Sequence, residues 1–420
     1  MSAQPISLTR LENGITVITV DNQAADLIAA RCFFRAGGRW EAPHQVGISH
    51  LLAMVMTKGT QSLSSAVIAD RVESVGANLG TDATADYFTL GLKTVTGDFP
   101  EILRLAGEIL RSPSFPAAEV QLEQQLTLQN IRAQSERPFS VAFQQLRQAM
   151  YGDHPYGFSI LGTPETLSRL TAADLHRYHR TYFRPDNLVI SLSGRIESET
   201  AIAQITAVFG DWAIPDAPLP IAPPLPPLPP PSTHTIDQAT QQAIVMVGYP
   251  APAVHNLPDY IALKVINTYL GSGLSSRLFV ELREKRGLAY DVSAFYPTRF
   301  SASQFVAYIG TAPENAQVGF EGLVAEIERL CQVSLTETEL QASKNKLLGQ
   351  YALGKQTNAD LAQLFGWYTI IDLGIEFDQK FQAAVNQITP DQIQAAAQRY
   401  FQTPYITIVG PEPAREPLAL

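Results

Sequence analysis

Cysteine is nearly absent: of 420 residues only Cys32 and Cys331 carry a thiol, far apart and without metal-type spacing. That spacing argues against a thiolate metal centre, and a reducing compartment fits better than a disulfide. Positive charge is also short, with 30 Lys and Arg against 40 Asp and Glu and a net charge of −10. Nucleic acids and anionic membrane surfaces need a basic face, so neither is an expected partner. No uninterrupted apolar run approaches the roughly 20 residues of a membrane span. The opening MSAQPISLTRLENG lacks the basic start and apolar run of a signal peptide. The expectation is a cytoplasmic protein without a membrane span.

What the chain has is apolar bulk, 45% of its residues, in a length too great for one core and suited to two. Proline is concentrated in 215-PDAPLPIAPPLPPLPPPS-232. Proline at that density forms neither helix nor central strand and favours extended polyproline backbone, a semi-rigid spacer. A ligand for a signalling domain is a second reading of the same segment. The spacer reading divides the chain into a domain over 1–213, a linker over 214–232 and a domain over 233–420.

The flanks resemble each other. The stretch 64-SSAVIADRVESVGANL-79 parallels 275-SSRLFVELREKRGLAY-290, with paired serines, a helical run, and glycine at the same offset in Gly76 and Gly287. Next, 114-SFPAAEVQLEQQL-126 parallels 334-SLTETELQASKNKL-347, each a turn leading into a long amphipathic helix. Last, 171-TAADLHRYHRTYFRPDNLVISLSG-194 parallels 389-TPDQIQAAAQRYFQTPYITIVG-410, a capped helix, Tyr-Phe, a turn and a strand ending in glycine. A repeat of this length is a domain duplication rather than a solenoid. Strand patterns at 15-ITVITV-20, 86-DYFTLGL-92 and 304-QFVAYIG-310 mix with long helices. The expected fold is α+β: two duplicated domains, each a mainly antiparallel sheet covered on one side by helices.

The segment 47-GISHLLAMVMTKGT-60 reads as a buried helix, from about Gln45 to Lys58, stopped by Gly59. His50 and Met54 lie one turn apart on the same face, with Ala53 beside them. A zinc helix places two histidines at that separation, with a carboxylate between to act on bound water. Here only His50 is present. It is open to three readings: a metal-site remnant, a living ligand or an ordinary core histidine. His176 and His179 are spaced i, i+3 on what reads as a surface helix, and His44 falls outside the turn.

The segment around His50 resembles the zinc helix of the inverted-motif, pitrilysin-type zinc peptidases, the family of mitochondrial processing peptidase and insulin-degrading enzyme. The resemblance extends through 13-NGITVITV-20, 34-FRAGGRWE-41, 76-GANLGTDAT-84, 153-DHPYG-157, 182-YFRPDN-187 and, most specifically, 271-GSGLSSRLFVELREKRGLAY-290. It implies duplicated α+β domains, as the repeat does. It also implies that Ala53 and Met54 stand where the family has its general base and second histidine. A distal zinc glutamate maps to Asn130 and a supporting glutamate to Glu123. This chain thus keeps His50 and Glu123 and lacks three site residues, so no metal is expected on it. From the C-terminal half the resemblance implies that Arg277 and Tyr290 approach the substrate backbone. A guanidinium and a phenol are donors able to hold a peptide carbonyl and the oxyanion it becomes. The duplicate positions carry Ala66 and Leu79, so the repeated fold alone does not demand them.

Family sites form between two units of this length. The expected function is therefore a zinc-less subunit of a heterodimeric metallopeptidase. It would supply Arg277 and Tyr290 to an unfolded peptide while a paralogous partner with an intact His-x-x-Glu-His motif holds the zinc. Peptide in this family joins a sheet edge. The matching edge here, near 78-NLGTDAT-84, has Gly80-Thr81 where Asn-Ala is common. Competing readings are a structural subunit of the respiratory core-protein kind, a homodimer that holds peptides without cutting them, and an active peptidase with unusual ligands.

Overall fold

Alternating apolar residues and Gly- or Pro-marked turns give the chain its strands, and the structure, a computed structural model, describes residues 5–411. The strands are β1 (Ile6–Arg10), β2 (Thr16–Asp21), β3 (Leu27–Phe34), β4 (Asn78–Ala83), β5 (Phe88–Val95), β6 (Leu188–Gly194), β7 (Thr233–Asp237), β8 (Ala243–Ala251), β9 (Asp291–Phe295), β10 (Ser303–Thr311) and β11 (Tyr405–Gly410). The chain forms two compact units, each drawing on both halves of the sequence. The first comprises Met1–Ile131, Ser159–Pro224 and Leu353–Phe377, and the second Arg132–Phe158, Leu225–Ala352 and Asp378–Leu420.

In the first unit the sheet order is β1-β2-β6-β3-β5-β4, antiparallel throughout except for β2 beside β6. In the second it is β7-β11-β8-β10-β9, antiparallel except for β7 beside β11. Without β1 the two orders are the same: the first strand lies parallel to the last, and the remaining three follow in one sequence. The α+β fold expected from the repeat is the fold observed. Among the described residues no helix is long and apolar enough to cross a membrane.

Helices cover both faces of each sheet, where the sequence pattern suggested one. In the first unit Ile28, Ala30, Cys32 and Phe34 of β3 enter a core shared with helices Ile48–Val55, Phe99–Arg111, Ala172–Tyr182 and Ser198–Phe209. Alternation turns Phe33 to the other face, where helix Asn358–Ile370 lies across β3 and β6. The helix is pinned at both ends. Asn358 accepts from the Asn22 amide and donates to the Leu27 carbonyl, while Arg35 donates to the Ile370 carbonyl and pairs with Asp372. In the second unit Leu146 and Met150 of helix Pro138–Tyr151 meet Gly248 of β8. On the opposite face Tyr249 and Phe305 meet Phe401, just beyond helix Pro390–Tyr400. A strand buried on both sides reads as a nearly continuous apolar run, as β3 and β8 do.

Candidate functional site

The helix carrying His50 runs from Ile48 to Val55, shorter than the pattern suggested, because Pro43–Gln45 forms a separate turn before it. Gly47 caps it with φ of 97°, a left-handed conformation natural to glycine. The buried Glu41 carboxylate accepts the Gly47 N–H at 2.8 Å, the Ser49 N–H at 2.9 Å and the Ser49 hydroxyl. It thereby satisfies amides that the helix start leaves unpaired. Burial pushes the Glu41 carboxyl up to about 7, against the opposing pull of these donors.

His50 is partly buried, and burial lowers its pKa. The charges of Asp82 on β4 and Glu123 on helix Ala117–Ser135 oppose that shift. Glu123 is buried and pairs with Lys58 at 3.0 Å. Ala53 is buried, and its carbonyl accepts the Thr81 hydroxyl at 2.7 Å. Met54 packs against the first unit's core. Asn130 is exposed, two turns beyond Glu123 on the same helix. The structure thus gathers one imidazole, a carboxylate neutralised by lysine and a second carboxylate on a neighbouring strand. Zinc catalysis needs three protein ligands and an open position, and this donor set does not fit it. Among the described residues no cluster of three or more His, Cys, Asp or Glu side chains is placed to hold a metal ion.

This packing predicts the outcome of Ala53→Glu. The new carboxylate enters a site 1% exposed, and an uncompensated buried charge costs about 2 kcal/mol or more. Urea unfolding should show the loss, and metal analysis should find no stoichiometric zinc, because two ligands remain absent. Zinc-dependent peptide cleavage by this variant would mean that the ligand set is different.

The surface placement expected for His176 and His179 is corrected for His179. Helix Ala172–Tyr182 turns Leu175, Tyr178, His179 and Tyr182 inward. The His179 Nε2 lies 2.8 Å from the Leu110 carbonyl oxygen and the ring stacks on Phe183, while His176 meets the edge of Phe115. Burial lowers the His179 pKa to about 4. The folded state therefore releases a proton that the unfolded chain binds below about 6.5. Stability is fully present above that pH and is lost as pH falls toward 4, by at most about 1.4 kcal/mol per pH unit. Glu41 acts with the opposite sign. Its raised pKa contributes stability that is present below about 4.5 and lost as pH rises toward 7. The difference in urea midpoint between wild type and His179→Gln should therefore shrink between pH 7 and pH 5. A constant difference would show that His179 does not titrate as its burial dictates.

In the second unit, Arg277 is braced. Its Nε donates to Glu326 at 2.7 Å and its Nη1 pairs with Glu281 at 3.0 Å, and Glu281 also receives Lys285 at 2.8 Å. The following turn, Phe279–Lys285, is π-helical, a rare geometry frequent at functional sites. Tyr290 is 64% exposed, its N–H tied to the Gly310 carbonyl at 2.8 Å at the entry to β9. Among the described residues no hydrogen bond joins Arg277 to Tyr290. The same block holds a guanidinium that sequence reasoning passed over. Arg283 is exposed, its Cζ lies 5.0 Å from the Phe279 ring centroid, and no carboxylate among the described residues pairs with it. Sequence offered a signal for it in the crowding of Arg283, Lys285 and Arg286 before Gly287. Arg277 is neutralised both by Glu281 within the block and by Glu326, 49 residues beyond it.

Residues 16–164 match the family described as Insulinase (Peptidase family M16), and residues 169–347 match the one described as Peptidase M16 inactive domain. An uncharacterized zinc protease of Streptomyces coelicolor is 26% identical over 96% of this chain and 89% of its own length. One from Bacillus subtilis is 26% identical over 95% and 97%. Among solved structures, a protease from Helicobacter pylori superimposes with a TM-score of 0.91 at 21% identity, covering 98% of this chain and all of that one. A peptidase M16 inactive domain from Pseudomonas fluorescens gives 0.89 at 24% identity, over 98% of this chain and 100% of its own. Those structural likenesses speak to the fold, and the two adjoining sequence matches speak to ancestry: the chain belongs to the insulinase, or M16, peptidase family.

Proposed function

We propose that this chain is the zinc-less subunit of a two-subunit metallopeptidase of the cytoplasm. Its paralogous partner carries an intact His-x-x-Glu-His motif and the metal, and an unfolded peptide is the substrate. The observation that carries the reading is the contrast between the units. Among the described residues the first shows no ligand set for zinc, while the second exposes Arg283 on a turn braced by Arg277, Glu281 and Glu326, and Tyr290 beyond that turn at the entry to β9. An exposed phenol and an exposed guanidinium can donate to a scissile carbonyl and to the negative charge that develops on it. Arg277, with Nε and Nη1 committed to carboxylates, serves this site better as a brace than as a free donor.

A purely structural or peptide-holding subunit is the second reading, favoured by the ion-paired state of Arg277. Peptide cleavage by the purified chain, alone and mixed with its intact-motif paralogue under matched zinc, separates the two. Activity in the mixture alone supports the proposal. A stable complex without activity moves the chain to the structural or peptide-holding role.

A further inference from the structure

All the residues around one cavity of about 420 Å³ belong to the second unit. It lies where the start of helix Leu257–Gly271 meets the end of helix Phe377–Gln387 and helix Pro390–Tyr400. Small-molecule sites span about 300–1,000 Å³ and combine an apolar wall with a few placed polar groups. Here the apolar wall is Ile261, Ile388 and Ala396, all buried. The rim carries the amides of Gln387 and Gln392 and one charge of each sign. The Arg399 Nη1 donates to both Asp259 carboxylate oxygens at 2.6 Å. The pair is unevenly used. The Asp259 Oδ2 also accepts the Tyr400 hydroxyl at 2.8 Å and the Asn256 amide at 2.9 Å, whereas among the described residues Oδ1 accepts from Arg399 alone. The Arg399 side chain is 59% exposed, and among the described residues only its Nη1 is engaged, which leaves the Nε–Nη2 edge open. Burial opposes the Asp259 charge, but Tyr400, Arg399 and Asn256 together hold its carboxyl below the usual range, so both charges persist at neutral pH.

We propose that this cavity binds a free α-amino acid with a branched aliphatic or aromatic side chain. The ligand's carboxylate takes the open Nε–Nη2 edge of Arg399, a planar fork that matches two carboxylate oxygens. Its ammonium donates to the Asp259 Oδ1, and its side chain leaves water for the wall of Ile261, Ile388 and Ala396. The paired rim selects this class. A fatty acid or a peptide C-terminus brings an anion alone, to a guanidinium that Asp259 already neutralises. An amine brings a cation alone, to a carboxylate that Arg399 already neutralises. A zwitterion offers both charges and keeps the sum at zero, so the Asp259–Arg399 pair stays intact. Complete peptide hydrolysis is the class of reaction that supplies such a ligand, and the site binds it whether or not this chain takes part in that hydrolysis.

The test is calorimetric titration of the intact chain with L-leucine and L-phenylalanine. Saturable binding of at least one is expected. The N-acetyl and amide derivatives of that amino acid, which lose the ammonium and the carboxylate in turn, should each bind tenfold or more weakly. Arg399→Gln should weaken the amino acid itself tenfold or more. Because that variant also takes a partner from Asp259, Ala395→Leu is measured beside it: Ala395 is an exposed helical position on the cavity, and a larger side chain there fills the space without touching the ion pair. An unchanged Tm in Ala395→Leu shows that the fold holds, and its binding should fall tenfold or more. No saturable binding of either amino acid, equal binding of the N-acetyl or amide derivative, or undiminished binding by Ala395→Leu or by folded Arg399→Gln would overturn the proposal.

Discussion

Tyr290→Phe is expected to lower kcat/KM of the reconstituted pair by about 10² or more, the loss that follows when one oxyanion donor is removed. The substitution deletes a single hydroxyl from a residue 64% exposed whose tie to the fold is its backbone N–H. Stability should therefore stay within about 0.5 kcal/mol of wild type, and a change in turnover can be assigned to the phenol itself. Arg283→Ala should produce a loss of similar size with similarly little cost to folding. Arg277→Ala behaves differently. It leaves Glu326 without its guanidinium and Glu281 with Lys285 alone, and those two side chains are 15% and 17% exposed, so it should lower Tm as well as activity. Steady-state kinetics beside thermal melts separate the donors from the brace. Unchanged turnover in Tyr290→Phe and Arg283→Ala together would remove the contribution in trans.

Gly366→Val should unfold the first unit's second face. A Cβ built on Gly366 would lie 2.2 Å from the Phe33 ring and 2.9 Å from the Ser191 side chain. Phe33 is itself fully buried and packed edge-on against Tyr87 at 5.4 Å, so it has nowhere to move. Overpacking a tight interior costs about 1–3 kcal/mol, and this contact is closer than side chains tolerate, so the upper end is expected. Urea denaturation measures it directly. The companion substitution Gly248→Ala in the second unit meets Leu146 and Met150 at 3.0 Å, through flexible side-chain ends, and should cost less. Equal midpoints for Gly366→Val and wild type would mean that helix Asn358–Ile370 is not seated on β3.

Local pattern made much of this legible. The period-two runs at β2, β5 and β10, the glycine that ends the His50 segment, and the Thr-x-x-Asp or Thr-x-x-Gln starts of two matched helices are all short-range signals. The duplication was legible because three blocks recur in one order, and the common strand order is its physical counterpart. Two things lay beyond local pattern. His179 sits in a polar-looking helix, and only the carbonyl of Leu110, brought close by folding, shows that its ring is satisfied indoors. The state of Arg277 is set by Glu281, a local partner four residues on, together with Glu326 on helix Ala316–Gln332, which no local pattern shows, while Arg283 meets no carboxylate among the described residues. Side-chain type proposes a donor, but the carboxylates that arrive from elsewhere decide which donor is free.

The seating of helix Asn358–Ile370 on β3 and β6 also sets a schedule. During synthesis β3 and β6 emerge long before Gly366; at roughly 5–20 residues per second the delay is on the order of 10–30 s for β6 and about twice that for β3. Through that interval the face bearing Phe33 has no native cover. The N-terminal half is then an unfinished sheet with an apolar face open to whatever the cell offers, and helix Pro138–Tyr151 waits likewise for β8 and β11. Neither half of the gene encodes a part that can be cut free and kept. A protease that nicks the chain early, or a truncation after the proline-rich segment, would leave a sticky remnant rather than a smaller version of the protein.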